Sequence, residues 1–572
     1  MTTTPWARFD DLVAGTAVRF PRAERVVAAW RAREVAPALD EVDRLTRTGR
    51  WAFGFVAYEA APGLDPVLTC HDPVEGLPLV WFGIADRPDE VPPIDAPGDT
   101  PPIPWTPDWE PAAHAAAVER VRAHIAAGET YQGNLTTHLR ARLAGDPERL
   151  YRDLALAQRG AHHAYVDVGR FAVASASPEL FFDRRGDRIL MRPMKGTAPR
   201  GRTTAEDDAA VARLRGSAKE RAENVMIVDL VRNDLARVAV TGGVTVPRLL
   251  AVETYETVHQ LTSDVTARLR PGVGLTAVFR ALFPCGSVTG APKARTMEIL
   301  REVEAGPRGV YCGAVGVVGP DRRARFSVAI RTAVADRERG TLDYGAGGAI
   351  TWDSTPAAEY AELRAKARVL TTHPQEFTLL ETLGSHPGEG PRNLDRHLAR
   401  LADSARFFGF RFDVEAARAL VGAAGPGRLR LSLARDGTLD LDVRPLPGPT
   451  GPVRLAVDPE PIDSTIPWPH HKTSRRAPYT DRLRRHPEAD DVLLVNERGE
   501  LTESCTATLA VRLDGCWWTP PLGDGCLPGV ERARLLESGR LRERVLRPED
   551  LARAGGLALV SSLRGWRSAV LV

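Results

Sequence analysis

Residues 309–370 read GVYCGAVGVVGPDRRARFSVAIRTAVADRERGTLDYGAGGAITWDSTPAAEYAELRAKARVL. Three runs rich in small and β-branched apolar residues, 309–319, 324–336 and 341–353, are separated by Gly-Pro-Asp and Arg-Glu-Arg-Gly. That pattern predicts successive antiparallel strands. Residues 356–370 open with Pro356, which predicts a helix carrying proline in its first turn. Working outward, 112–127, 217–240 and 292–305 have helical periodicity, the second with Val225, Val228, Val231 and Leu235 on a three-four spacing, and 171–182 alternates as a strand does. The expected class is α+β to α/β, with antiparallel sheets and surrounding helices over 111–370 and an N-terminal part, 1–84, belonging to the same region. The proline- and acid-rich stretch 85–110 reads as a linker or long surface loop. A second boundary falls at 371–376. Beyond it a strand (377–383), an amphipathic helix (394–408) and two strands (428–435, 439–444) make a smaller lobe, 377–445. The stiff run Pro445-Leu-Pro-Gly-Pro-Thr-Gly-Pro leads to a larger lobe, 452–572.

With 572 residues, 43% hydrophobic and 26% charged, the chain has the composition of an ordinary globular protein of several domains. Lys+Arg of 76 against Asp+Glu of 74 gives no reason to expect a nucleic-acid partner. No apolar run is long enough for a membrane span and the first residues do not read as a signal peptide, so a cytoplasmic protein is expected. The six cysteines are scattered without a CxxC pair, which argues against zinc and against a disulfide framework. One feature of the cations is informative. Only Lys195, Lys219, Lys293, Lys366 and Lys472 are lysine, and the other 71 are arginine. In such a chain a retained lysine points to a need for an amine, which can be deprotonated and form covalent bonds where a guanidinium cannot.

Lys195 lies in Arg192-Pro-Met-Lys-Gly-Thr, between a residue that fixes the backbone and one that opens space. Glu220 with Glu223, and Glu359 with Glu362, are carboxylate pairs three apart on expected helices, so each pair shares a helix face. Solvated surface is the ordinary fate of such pairs, but two such faces meeting would make an oxygen site suited to Mg²⁺. Cys285-Gly-Ser-Val-Thr-Gly-Ala-Pro-Lys runs into a helix start, and Tyr344-Gly-Ala-Gly-Gly ends a glycine-lined strand near Arg331. Both suit a small anionic ligand.

Taken together, Tyr131-Gln-Gly-Asn, Ser177-Pro-Glu-Leu-Phe, Pro193-Met-Lys-Gly-Thr, the run from Lys219 to Asp234, His259-Gln-Leu-Thr-Ser, Phe283-Pro-Cys-Gly-Ser-Val-Thr-Gly-Ala-Pro-Lys and Gly345-Ala-Gly-Gly with Glu359-Tyr-Ala-Glu resemble the chorismate-utilising enzymes. That family includes anthranilate synthase, isochorismate synthase and aminodeoxychorismate synthase component I. Anthranilate synthases resemble Pro-Ile-Ala-Gly-Thr where this chain has Pro-Met-Lys-Gly-Thr, and aminodeoxychorismate synthases carry lysine there. The resemblance implies Lys195 as a nucleophile toward C2 of chorismate and Glu179 as general acid. It implies Mg²⁺ held by Glu223 and Glu362 with Glu220 and Glu359 close by. It also places His259, Thr289, Arg331, Tyr344, Gly347, Gly348 and Lys366 at the substrate, although a satisfied core histidine is an equal reading of His259. No glutaminase segment is seen, so a separate glutamine amidotransferase subunit is implied as the source of ammonia.

In the C-terminal part, His470-His-Lys-Thr-Ser-Arg-Arg contains Lys472. Leu501-Thr-Glu-Ser-Cys-Thr, Leu527-Pro-Gly-Val-Glu-Arg and Asp395-Arg-His-Leu-Ala-Arg surround it in sequence. As a set they resemble the class IV aminotransferases, the fold-type IV pyridoxal phosphate enzymes, a family that includes branched-chain aminotransferase, D-amino-acid aminotransferase and aminodeoxychorismate lyase. The resemblance implies Lys472 as the Schiff-base lysine, Glu503 as partner of the pyridinium nitrogen, and Arg400, the amide of Val530 and Ser562 around the phosphate. It further implies a homodimer. Two departures stand out. Glu531 occupies the position of a usual threonine, and Ala477 that of a frequent tyrosine, with Tyr479 nearby. Joined to the first region, this part is expected to be a lyase releasing pyruvate and 4-aminobenzoate. An aminotransferase of the D- or branched-chain type, or a silent dimerisation domain, are the alternatives.

Overall fold

The computed structural model describes residues 4–371, 375–448 and 451–572. The chain forms two compact units, one of Met1–Pro199 with Val211–Gln375, the other of Arg200–Ala210 with Glu376–Val572. The junction expected at 371–376 lies partly outside the described residues. No helix among the described residues is long and apolar enough to cross a membrane.

The first unit is built on two antiparallel sheets. One runs Gln132–Arg142, Thr341–Ile350, Thr332–Asp336, Phe171–Ser177, His162–Asp167, Trp6–Asp11 and Thr16–Phe20 in spatial order; the other includes Met194–Pro199, Val258–Leu269, Arg188–Arg192, Leu180–Arg185, Arg323–Val328, Ala314–Gly319, Trp51–Val56 and Val80–Ala85. Phe20, Val166 and Val173 from one sheet share a core with Phe53, Phe55 and Trp81 from the other, so the sheets pack face to face around aromatic side chains. Residues 1–84 therefore supply strands to both sheets. The stretch 85–110 does not separate two units. Asp89–Val91 pairs with Thr16–Phe20, Thr106–Pro107 pairs with Gln132–Arg142, and both lie in the first unit.

Two expected strands are each broken in two, and both breaks lie at one cavity. The run 324–336 is Arg323–Val328 in one sheet and Thr332–Asp336 in the other, with Arg331 at φ 50° between them. The run 171–182 likewise splits into Phe171–Ser177 and Leu180–Arg185 around Pro178-Glu179. The expected meander thus holds only pairwise, because the chain changes sheet at each break. The helices Pro111–Ala126, Ala218–Ala236, Lys293–Val303 and Pro356–Ala367 match the sequence periodicity. Pro292 is the N-cap residue rather than the first helical one.

The second unit has a four-stranded sheet including Leu379–His386, Gly427–Leu433 and Leu439–Arg444 against the helix Leu394–Phe408, and an eight-stranded mixed sheet formed from Val453 onward. In the first of these, Leu379, Leu383, Leu398, Leu401, Leu429 and Leu431 make the core.

Candidate active sites

A cavity of about 160 Å³ in the first unit is lined by Glu179, Lys195, Glu220, Glu223, Arg331, Tyr344, Gly347, Glu359, Glu362 and Lys366, together with Asn134, Gln260 and Ser287. The two strand breaks deliver Glu179 and Arg331 to it. Lys195 sits on the edge strand Met194–Pro199, where the amide of Asn224 holds its carbonyl at 3.1 Å. Asn224 is fixed in turn by the Ser263 hydroxyl at 2.6 Å. Gly196 follows with φ 97°, and a Cβ there would meet Glu220 Oε2 and Leu261 Cδ1, each at 3.0 Å, so the lysine needs glycine as its neighbour.

Burial pushes the Lys195 amine below the usual lysine range, and Lys366 acts in the same sense. Glu179 moves the other way. Burial raises its carboxyl to about 7, against a hydrogen bond from Ser287 and the charge of Lys195, and Glu179 Oε1 has no hydrogen-bond partner among the described residues. An amine biased toward its neutral form stands with a carboxyl biased toward its protonated form, which suits a nucleophile and an acid. Arg331 donates to Gln158 Oε1 and meets no carboxylate among the described residues. An arginine surrounded by tyrosines without an acid is a place for an anion.

The first two turns of the helices Ala218–Ala236 and Pro356–Ala367 line this cavity with Glu220, Glu223, Glu359 and Glu362. Burial, then Glu223, raises Glu220; burial raises Glu359, whose Oε2 is buried with no hydrogen-bond partner among the described residues. Lys366 lies 2.8 Å from Glu362 and holds its carboxyl below the usual range. Four carboxylates in one cavity with an orphaned oxygen fit a hard cation, although no three potential ligands among the described residues already converge on one point. Gly348 faces the same group, since its Cβ would stand 3.2 Å from Glu359 Oε2 and 3.9 Å from Glu362 Oε1.

Two expected residues are placed otherwise. His259 is buried on the strand Val258–Leu269 with its Nδ1 3.1 Å from the Thr254 hydroxyl, and its neighbour Gln260 lines the cavity. Strand alternation turns successive side chains to opposite faces, so only one of the two can point inward. Thr289 is fully buried and its hydroxyl is committed to the carbonyls of Cys285 and Gly286. Ser287, two residues earlier, is the hydroxyl that reaches Glu179.

The second unit holds a cavity of about 660 Å³ lined by Lys472, Glu503, Arg400, Val530 and Ser562, and also by His397, Arg476 and Glu531. Burial lowers the Lys472 amine to about 8, helped by Arg400 and Arg476. Burial raises Glu503 to about 7, opposed by the amide of Leu527 and by Lys472. Arg400 gives Nε and Nη2 to Glu381 at 2.8 and 2.6 Å, and Nη1 to the Pro528 carbonyl at 3.0 Å. Of its five donors, one on each terminal nitrogen is left. Val530 opens the helix Val530–Glu537 behind Gly529, so free amides face the cavity. Glu531 turns its carboxylate to Arg392, Arg534 and Asn393. Tyr479 packs under the Arg476 guanidinium, 4.1 Å from its ring centre, and Arg476 rather than Tyr479 lines the cavity. Sequence reasoning missed Glu381 and His397, although a glutamate inside the buried run Leu379-Leu-Glu-Thr-Leu demands a cationic partner. A lysine, an acid, an arginine and a helix start in one cavity fit pyridoxal 5′-phosphate.

Comparison with known proteins agrees with this geometry. Residues 4–372 match the family described as chorismate binding enzyme, and residues 378–572 match amino-transferase class IV. The chain belongs to the chorismate binding enzyme family, with a class IV amino-transferase domain following. It is 48% identical over 255 residues to an aminodeoxychorismate synthase of Streptomyces griseus, covering 44% of this chain and 35% of that one. It is 40% identical over 273 residues to aminodeoxychorismate synthase component 1 of Salmonella typhimurium, covering 48% and 59%. These matches therefore span less than two thirds of either relative. The crystal structure of anthranilate synthase component I from Streptococcus pneumoniae superposes with a TM-score of 0.53 at 25% identity, covering 65% of this chain and 91% of that one.

Proposed function

We propose that the chain converts chorismate to 4-aminobenzoate in two steps, one in each unit. The observation that carries this reading is the same in both cavities: a buried lysine of lowered basicity stands with a fully buried carboxyl of lowered acidity, Lys195 with Glu179 and Lys472 with Glu503. The lysine in Pro-Met-Lys-Gly-Thr and the names of the relatives favour amination at C4.

In the first unit the Lys195 amine bonds to C2 of chorismate, the ring double bonds shift, and the C4 hydroxyl leaves as water with the proton of Glu179. Ammonia then bonds to C4, the double bonds shift back, and the C2–nitrogen bond to Lys195 breaks. Arg331 and the glycine-lined strand end at Gly347 receive carboxylate, and Glu220, Glu223, Glu359 and Glu362 would hold Mg²⁺, which orients the ring carboxylate. Relatives described as component 1 support a separate amidotransferase subunit as the source of ammonia.

In the second unit Lys472, Glu503, Arg400, Ser562 and the amide of Val530 would hold pyridoxal 5′-phosphate, which supplies an electron sink. Lys472 takes the proton from C4 of 4-amino-4-deoxychorismate. The bond from C3 to the enolpyruvyl oxygen breaks, the ring becomes aromatic, and the departing enolpyruvate takes that proton from Lys472 at its methylene carbon to become pyruvate. The resemblance to fold-type IV enzymes also supports a homodimer through this unit, with a symmetric interface.

The test is an incubation of the full chain with chorismate, Mg²⁺, ammonium salt and pyridoxal 5′-phosphate, followed by chromatography. The expected product is 4-aminobenzoate, with 4-amino-4-deoxychorismate accumulating in Lys472→Ala. Anthranilate as product refutes the assignment of Lys195.

A further inference from the structure

A hydrogen-bonded chain leads from Ser562 in the wall of the second cavity to His397 and Glu381, two side chains to which the proposed reaction gives no part. Glu381 Oε2 is 2.6 Å from His397 Nδ1, and His397 Nε2 is 2.8 Å from the Ser562 hydroxyl. Glu381 and His397 are almost fully buried, and Ser562 is buried at the cavity wall. Asn393 Nδ2 adds a contact to Ser562 Oγ at 3.3 Å and another to Glu531 Oε2 at 3.2 Å.

Proton counting along this chain has a consequence. The Arg400 charge and the His397 hydrogen bond, working against burial, hold the Glu381 carboxyl down at about 2, so it only accepts. His397 Nδ1 must therefore carry hydrogen, and in the neutral ring Nε2 is a bare acceptor. The single proton of Ser562 then points at His397, while its oxygen accepts from Asn393. In that state Ser562 offers the cavity lone pairs, which repel a phosphate. If His397 gains a proton on Nε2, the direction of the last bond reverses and the Ser562 hydroxyl is free to donate inward.

We propose that phosphate binding in this cavity is coupled to uptake of one proton by His397, with Glu381 holding the imidazolium and Ser562 delivering the released O–H to the phosphate. This rests on the reading of the cavity as a pyridoxal phosphate site. The charged groups around His397 are Glu381 on its strand, Arg400 on its own helix, Arg392 just before that helix, Glu531 and Arg534 on the helix Val530–Glu537, and Lys472 and Glu503 across the cavity. Arg430, Arg476, Arg564 and Arg567 line the same cavity together with Asp490 and Asp491. Glu381 is shared with His397 and Arg400, and Glu531 with Arg392 and Arg534, so what a proton on His397 adds is the direction of the Ser562 hydroxyl. Glu381 and His397 are thus positioning residues, acting through Arg400 and Ser562.

The probe is pyridoxamine 5′-phosphate, which carries the phosphate but forms no bond to Lys472. Calorimetric titration of the cofactor-free full chain, in buffers of different ionisation enthalpy over about pH 7–9, reads the number of protons taken up on binding. The expected result is uptake of about one proton more per molecule bound in the unaltered chain than in His397→Gln, which places an amide donor near the Nε2 position, while Lys472 and Glu503 contribute alike to both. The affinity of the unaltered chain is accordingly expected to fall more steeply on the alkaline side, by up to about tenfold more per pH unit. Ser562→Ala, which leaves the histidine in place, is expected to lose most of that difference. Equal uptake and equal pH profiles in the unaltered chain and His397→Gln overturn the coupling alone. Failure to bind either pyridoxamine 5′-phosphate or pyridoxal 5′-phosphate overturns the cofactor reading and the coupling with it.

Discussion

The raised carboxyl of Glu179 makes a quantitative prediction about the first step. A group with pKa about 7 is half protonated at neutrality, and by about pH 9 only about one molecule in a hundred retains the proton. The general acid must be protonated to release the C4 hydroxyl, so activity is lost as pH rises through 7. Chorismate amination at fixed free ammonia is expected to fall about tenfold per unit above pH 8. Glu179→Gln keeps the shape and the Ser287 contact but has no proton to give. It is expected to lower kcat by about 10²–10⁴ and to abolish the alkaline limb, while 4-amino-4-deoxychorismate added directly is still converted. The assay is chromatographic rate measurement between pH 6 and 9, with buffers overlapped to separate buffer effects. A flat alkaline limb in the unaltered chain, or a Gln variant that aminates at the normal rate, refutes the role of Glu179 as acid.

Three further outcomes follow from the geometry. Gly196→Ala forces a Cβ onto a residue at φ 97° with contacts at 3.0 Å; strain of about 1–3 kcal/mol is expected to displace Lys195, cutting amination more than tenfold with the second step unchanged in the same sample. Arg308 is buried among Glu304, the carbonyls of Val288 and Asn134, and the Tyr58 ring, so Arg308→Met is expected to cost about 3–5 kcal/mol in urea unfolding of the first unit by leaving Glu304 uncompensated. Lys472→Ala is expected to remove the near-visible absorbance band formed with pyridoxal 5′-phosphate, with the circular dichroism spectrum retained.

The scarcity of lysine marked five positions, of which Lys195, Lys219, Lys366 and Lys472 line cavities; it took the family resemblance to single out Lys195 and Lys472. Lys293 is instead structural, 2.9 Å from Asp234, and Lys366 is shared between Glu362 and the Gly347 carbonyl. Helices with strong periodicity, such as Leu394–Phe408, were legible because one face is buried. The strand breaks at Pro178-Glu179 and Arg331 were not, since apolar alternation continues through both and a change of sheet leaves no mark in the pattern. The proline of the first break was the one available hint. Ser287 was hidden for a different reason. A glycine-rich turn shows that backbone amides are available, but which hydroxyl faces the cavity is set by tertiary placement. His259 and Gln260 illustrate the same limit, because a one-residue difference in facing exchanges a core side chain for a cavity side chain.

The central claim is that the Lys195 amine bonds to the ring. Incubating the full chain with chorismate and Mg²⁺ in the absence of ammonia, followed by intact-mass and peptide analysis, tests this most directly. The account predicts an adduct of chorismate less one water on Lys195, absent in Lys195→Ala and discharged by added ammonium. An adduct-free Lys195→Ala protein that still aminates chorismate at C4 would contradict it.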